Sequence, residues 1–156
     1  MLRLLPCYRL LLLLPLLPLG TRAQQYQLHR EHDSLYWLNE WRLPYPVYQF
    51  QTGDVDGDGR TDALVGVVKS TRFHPERGRR LFVFKQTDGK VRPLWLGSRL
   101  GATLIDFRFK DGAVRALETD GKGRYAVVEY RWKDFGLVFS RFIIKNTDKN
   151  NAIKKL

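Results

Sequence analysis

Four carboxylates fall at relative positions one, three, five and nine of Asp54-Val55-Asp56-Gly57-Asp58-Gly59-Arg60-Thr61-Asp62, with a glycine at six. That spacing supplies the oxygen-rich loop a hard cation such as Ca²⁺ requires, because alternate side chains of a tight loop point inward and the carbonyl at position seven, Arg60, can join them. Gly59 permits the sharp turn, since it tolerates positive φ. Position twelve, where an EF-hand carries a bidentate glutamate, is Val65 in an apolar run. The loop is therefore not a complete EF-hand. Four like charges so close together destabilise one another, so an ion or a basic side chain belongs among them.

Other chemistry is sparse. His29, His32 and His74 lack a zinc-type spacing. On a helix, His29 and His32 would share a face, but a solvated pair is the simpler reading. Gly57 and Gly59 sit among carboxylates that repel phosphate, so no phosphate loop is expected. Acidic pairs such as Glu118 with Glu129 exist on paper for glycoside hydrolysis, as they would in any chain with 16 acids. No catalytic residue is assigned. Lys69 to Arg80 holds five Lys or Arg residues and one acid. It reads as an exposed hairpin loop, with Arg72, Phe73, Arg77, Arg79 and Arg80 as candidate binding residues. Trp37, Trp41, Trp95 and Trp132 suit a core better than a sugar platform.

The elements that must hold these residues are strands. Val47 to Gln51 alternates into the acidic loop, and Ala63 to Val68 leaves it as a near-continuous apolar run, as a strand buried on both faces would. Further strands are expected over 81–85, 91–96, 104–109, 114–118, 125–132 and 137–144. The turn signals Asp88-Gly89, Asp111-Gly112 and Phe135-Gly136 separate them at hairpin intervals. The expected fold is all-β and antiparallel. One short helix is expected over 33–41, capped by Asp33 or Ser34 and ended by Pro44.

The ends set the cellular context. Arg3 and Arg9 flank the leucine-rich stretch 10–19, and Thr21-Arg22-Ala23 offers small residues for signal-peptidase cleavage. Residues 1–23 thus read as a signal peptide, and the protein as secreted or periplasmic, with no membrane span after cleavage. The only cysteine, Cys7, leaves with that peptide, so the mature chain has neither disulfides nor thiol chemistry. It keeps a net charge of about +8, which favours polyanionic neighbours. A protein or an anionic glycan or other polyanion, met through the basic loop, is the expected partner; nucleic acid is disfavoured.

Glu118-Thr119-Asp120-Gly121-Lys122-Gly123-Arg124 repeats the frame of the acidic loop 64 residues on. Lys122 replaces the third carboxylate there, so this copy is expected to keep the turn and lose the ion. Glu118 is expected to face solvent or to pair with Lys122.

Gly53 to Gly66, followed by Gly78-Arg79-Arg80-Leu81-Phe82-Val83-Phe84, resembles an FG-GAP or VCBS-type repeat over about residues 46–86. Residues 104–144 resemble a degenerate copy. The resemblance implies a propeller blade whose first two strands are joined by a Ca²⁺ loop, with Asp54, Asp56, Asp58 and Asp62 as side-chain ligands and Arg60 as a carbonyl ligand. It also implies that the Ca²⁺ is a structural staple.

The mature chain has room for about two blades, too few to close a ring. The expected organisation is an N-terminal segment 24–45, a β-domain 46–144 of two blade-like repeats at about 46–96 and 104–144, and a mobile basic polar tail 145–156. A small two-sheet domain derived from blades is the first expectation; open sheet edges invite pairing, so a homodimer is the second. The leading function is a calcium-stabilised binding or interaction module. The alternatives are a small secreted hydrolase of glycan or phosphodiester, and a structural subunit of a multi-chain β assembly.

Overall fold

The structure, a computed structural model, describes residues 25–72, 74–97 and 99–156. The expected signal peptide, Cys7 and Phe73 lie outside the described residues. Among the described residues eleven strands form three antiparallel sheets, and the only helix is a short C-terminal one. The first sheet joins β1 (Leu28–His32), β2 (Leu35–Leu38) and β3 (Trp41–Leu43). The second is a four-stranded meander of β4 (Val47–Gly53), β5 (Asp62–Thr71), β6 (His74–Thr87) and β7 (Lys90–Leu96). The third repeats that plan with β8 (Thr103–Lys110), β9 (Ala113–Thr119), β10 (Tyr125–Lys133) and β11 (Gly136–Thr147), and α1 (Lys149–Ile153) follows. The all-β, antiparallel expectation holds, with two four-stranded sheets and no closed barrel.

Hairpin turns fix the register. Asp88-Gly89 and Asp111-Gly112 both have positive φ at the two central residues, as a tight type I′ turn demands. The helix expected over 33–41 is instead the β2–β3 hairpin. Leu38 pairs with Trp41 across Asn39, whose φ of 51° makes the turn that a helix would forbid. Asp33 and Ser34 form the preceding turn rather than a cap. His29 and His32 therefore lie on an exposed strand, not on a helix face.

The β4–β7 sheet is the central layer. Residues Asp62 to Val67 are all buried, and they divide between its two faces. Ala63, Val65 and Val67 pack with Phe82, Phe84 and Val91 against Leu38 and Leu43 of the first sheet. Leu64, Leu81 and Val83 pack on the opposite side against Leu104, Phe107, Val114 and Val128 of the third sheet. This is why the run is apolar at every position rather than at alternate ones. Truncating a fully buried leucine such as Leu64 to alanine removes about 2 to 5 kcal/mol.

Polar bonds align the two meanders along their adjacent edges. Gln49 Nε2 donates to the carbonyl of Phe107 at 3.3 Å, and the amide of Phe109 donates to Gln51 Oε1 at 2.6 Å. Side chains thus satisfy backbone groups that strand pairing leaves open.

The outer face of the third sheet is covered at one end by the chain's last residues. Asp148 caps α1 by accepting from the amide of Asn151 at 3.0 Å, and fully buried Ala152 packs on Leu117 and Val127. The tail expected to be mobile is thus strand to Thr147 and then a docked helix. No helix among the described residues is long and apolar enough to cross a membrane.

Candidate metal centre and basic cleft

The acidic loop joins β4 to β5, and each carboxylate first serves the backbone. Asp54 accepts from the amides of Gly57 and Gly59 at 2.8 and 2.9 Å, Asp56 from Asp58 at 3.2 Å, and Asp58 from Arg60 at 2.9 Å. Positive φ at Gly57 and Gly59, 76° and 80°, curls the chain so that these bonds can form. The result brings one oxygen from each of Asp54, Asp56 and Asp58 within 4.8 Å of the others. Two oxygens across one Ca²⁺ lie about that far apart, at roughly 2.4 Å from the ion each, so the group can hold a metal ion.

Asp62 is placed differently. It opens β5, is fully buried, and accepts from the amide of Val55 at 2.9 Å through Oδ2, while Oδ1 is buried with no partner among the described residues. Burial raises its carboxyl to about 6 against the opposing pull of that amide. Asp62 stands outside the group of three. Arg60 is exposed, and its amide serves Asp58.

A cation from another strand already reaches the loop. The Lys85 ammonium on β6 bonds Asp56 Oδ2 at 2.5 Å and Asp58 Oδ2 at 2.7 Å. Burial alone would lower its pKa, and the two carboxylates more than offset this and raise it. The same bond, with the Arg60 amide, lowers Asp58 below the usual carboxylate range. Sequence reading required a basic side chain or an ion here and had no signal for Lys85, which stands 27 positions past Asp58 and is delivered by the β5–β6 hairpin.

The second loop keeps the local frame. Gly121 and Gly123 have φ of 74° and 85°, matching Gly57 and Gly59. Asp120 accepts from the amides of Lys122 and Arg124 at 2.8 and 3.2 Å and pairs with the Arg124 side chain. Its position in the sheet differs, however. It joins β9 to β10, the second and third strands of their sheet, whereas the acidic loop joins the first and second. The acidic loop shares a cavity with Phe109 and Gly112 at the β8–β9 turn, which puts the β9–β10 loop at the opposite end of the molecule.

Glu118 is not solvent-facing. It is buried, accepting from the Tyr130 hydroxyl at 2.7 Å and the Ala102 amide at 2.9 Å, and burial raises its pKa against those bonds. Glu129 lies on the other face of the same sheet. There, burial would raise its pKa, but hydrogen bonds from Arg141 and Arg131, each 3.1 Å, bring it below its usual value. Sheet alternation thus separates Glu118 from Glu129, the example of an acidic pair named from the sequence.

Most of the basic stretch is strand rather than loop. Lys69 pairs with Gly78 and Val68 with Arg79, so it forms the outer arms of the β5–β6 hairpin. Its arginines do not all share one recess. Arg79 points toward the third sheet, with its guanidinium 4.5 Å from the Tyr48 ring centre and a bond to the carbonyl of Ile105. Arg77 and Arg80 line a different recess, with His74 and Arg99. Arg72 lines a cleft of about 780 Å³ between the hairpin and the first sheet, shared with Trp41, Arg42, Tyr45, Lys69 and Arg99. None of the four tryptophans is fully buried; Trp41 both packs on Phe84 and reaches this cleft. Arg42 and Arg99 had no sequence signal, because each is a lone arginine brought in by a separate element.

In comparisons with known proteins, the chain matches no family model, no curated protein and no solved structure.

Proposed function

We propose that this chain is an exported, calcium-stabilised β-domain that works as a binding or interaction module, built from two blades of the FG-GAP or VCBS kind. One observation carries the reading: three carboxylates within reach of a single ion, beside a buried Asp62 oxygen that lacks a partner. Asp54, Asp56 and Asp58 are the ligands on this account, Asp62 and the Arg60 carbonyl complete the set, and the ion is a staple between β4 and β5. Secretion or a periplasmic location would supply enough Ca²⁺ to fill even a weak site.

Lys85 sets the energetics of that site. Its ammonium and a metal ion compete for the same Asp56 and Asp58 oxygens, so calcium enters by releasing it. The apparent affinity is lowered by that exchange. Titration calorimetry of the mature chain with CaCl₂ tests the site: one equivalent should bind, and Lys85→Met should bind it more tightly. Absence of a binding heat in both proteins, checked by a melting shift, would remove the calcium reading.

The third sheet favours a second reading, a subunit of a larger β assembly. Among the described residues its outer strand β11 pairs only with β10, and it exposes Val138, Phe139 and Phe142. Such an edge is a template for pairing, and a homodimer through it is the form this reading takes. A mass measurement in solution decides it, since a monomer at high concentration rules it out.

A further inference from the structure

The cleft between the first sheet and the β5–β6 hairpin has the size of a ligand site, about 780 Å³. Arg42, Lys69, Arg72 and Arg99 line it, with His74, and no carboxylate is among its described lining residues. Arg42, Lys69 and Arg99 therefore bring positive charge together in a cleft whose described walls carry no carboxylate. Lys69 is also fixed in place. Its ammonium donates to the Tyr45 hydroxyl at 3.1 Å and stands 4.2 Å from the Tyr45 ring centre and 5.6 Å from that of Phe82.

We propose that this cleft binds a short acidic oligosaccharide, whose carboxylate or sulfate groups meet the arginines while one sugar face lies on Trp41. The inference deepens the binding-module reading and rests on it. Arginine suits such groups because its planar fork bonds both oxygens of an oxyanion at once. Neutral sugars fit poorly. They are held by carboxylates and amides that bridge neighbouring hydroxyls, and no Asp, Glu, Asn or Gln is among the described lining residues. Single-stranded nucleic acid needs a row of open rings for successive bases. Here Tyr45 and Phe82 meet edge to face at 6.1 Å, and Lys69 stands over both. A multiply charged sugar with one stacked ring matches what remains.

Titration of the full mature chain at physiological salt tests the proposal, with trigalacturonate as the acidic probe, maltotriose as the neutral one and a short oligothymidine as the nucleic acid. Trigalacturonate should bind, and Arg42→Gln with Arg99→Gln should weaken it by roughly tenfold or more. Lys110→Gln with Lys133→Gln removes the same charge from exposed positions of the third sheet and should change binding by less than about twofold. Melting curves confirm that each variant is folded. Equal losses in the two double variants would assign the binding to bulk charge and overturn the cleft. If maltotriose or oligothymidine binds as tightly as trigalacturonate, the acidic-sugar inference fails and the binding-module reading stands. A chain that melts normally and binds none of the three probes overturns both.

Discussion

Two loops of this molecule share a frame and differ in chemistry. Both curl around glycines of nearly equal φ, 76° and 80° in one and 74° and 85° in the other, and both use an aspartate to hold backbone amides. The loop at Asp54 adds two further carboxylates and draws a lysine from a distant strand. The loop at Asp120 substitutes Lys122, and its acid is served by its own Arg124. The turn and the ion site are thus separable: glycine φ and one aspartate specify the turn, and the extra carboxylates specify the cation. The loops also sit at opposite ends of their sheets, so their likeness is one of local conformation and not of place in the blade.

Lys85→Met gives the largest expected difference between them. It strips the ammonium from Asp56 and Asp58 and should destabilise the metal-free protein by about 1 to 3 kcal/mol in chemical denaturation. Lys122→Met in the other loop should stay within about 0.5 kcal/mol. Comparable losses would mean that the two lysines play the same part.

Aspartate removal sharpens the same contrast. Asp54→Ala and Asp120→Ala each free two backbone amides, and each should lower the melting temperature without metal. With CaCl₂ present the gap should widen at Asp54 alone. A calcium-dependent loss at Asp120 would break the distinction.

The shared turn predicts equality where the chemistry predicts difference. Gly57→Ala and Gly121→Ala each force a side chain into positive φ and should each cost about 1 kcal/mol, since an added Cβ meets no atom at either site. Thermal melts of the two variants should coincide.

The smallest effect lies in pH dependence. Burial holds Glu118 above its usual pKa, so its contribution to stability is complete below the ordinary glutamate range and is lost as pH rises through the folded value. Glu118→Gln should flatten that part of the curve of melting temperature against pH. Glu129, lowered by its two arginines, has the opposite sign: its contribution is present above the ordinary range and fades as pH falls. Glu129→Gln should therefore flatten the acid limb instead.

The eight strands after residue 45 were legible where alternation and Asp-Gly turns agree, as at Asp88-Gly89 and Asp111-Gly112, and the unbroken apolar run of β5 announced the central layer. The β2–β3 hairpin was not. Leu35-Tyr36-Trp37-Leu38 has no polar alternation, and its turn uses Asn39-Glu40, which lacks the glycine of the Asp88-Gly89 and Asp111-Gly112 turns. The acidic loop was visible as a spacing, since its aspartates are close in sequence. Its cation Lys85 and the cleft residues Arg42 and Arg99 were invisible, because only strand pairing brings them in. Sequence also treated the basic stretch as one surface, whereas of its arginines only Arg72 lines the cleft against the first sheet.

The central claim is that the Asp54 loop holds a structural calcium ion. Differential scanning calorimetry of the mature chain in chelator and in excess CaCl₂ tests it, alongside the Asp56→Ala, Asp58→Ala double variant. At a hundredfold excess over Kd the ion should add about 2.7 kcal/mol and raise the melting temperature of the parent by roughly 10 °C. The double variant should not respond. A parent whose melting temperature is the same in chelator and in calcium would contradict the account.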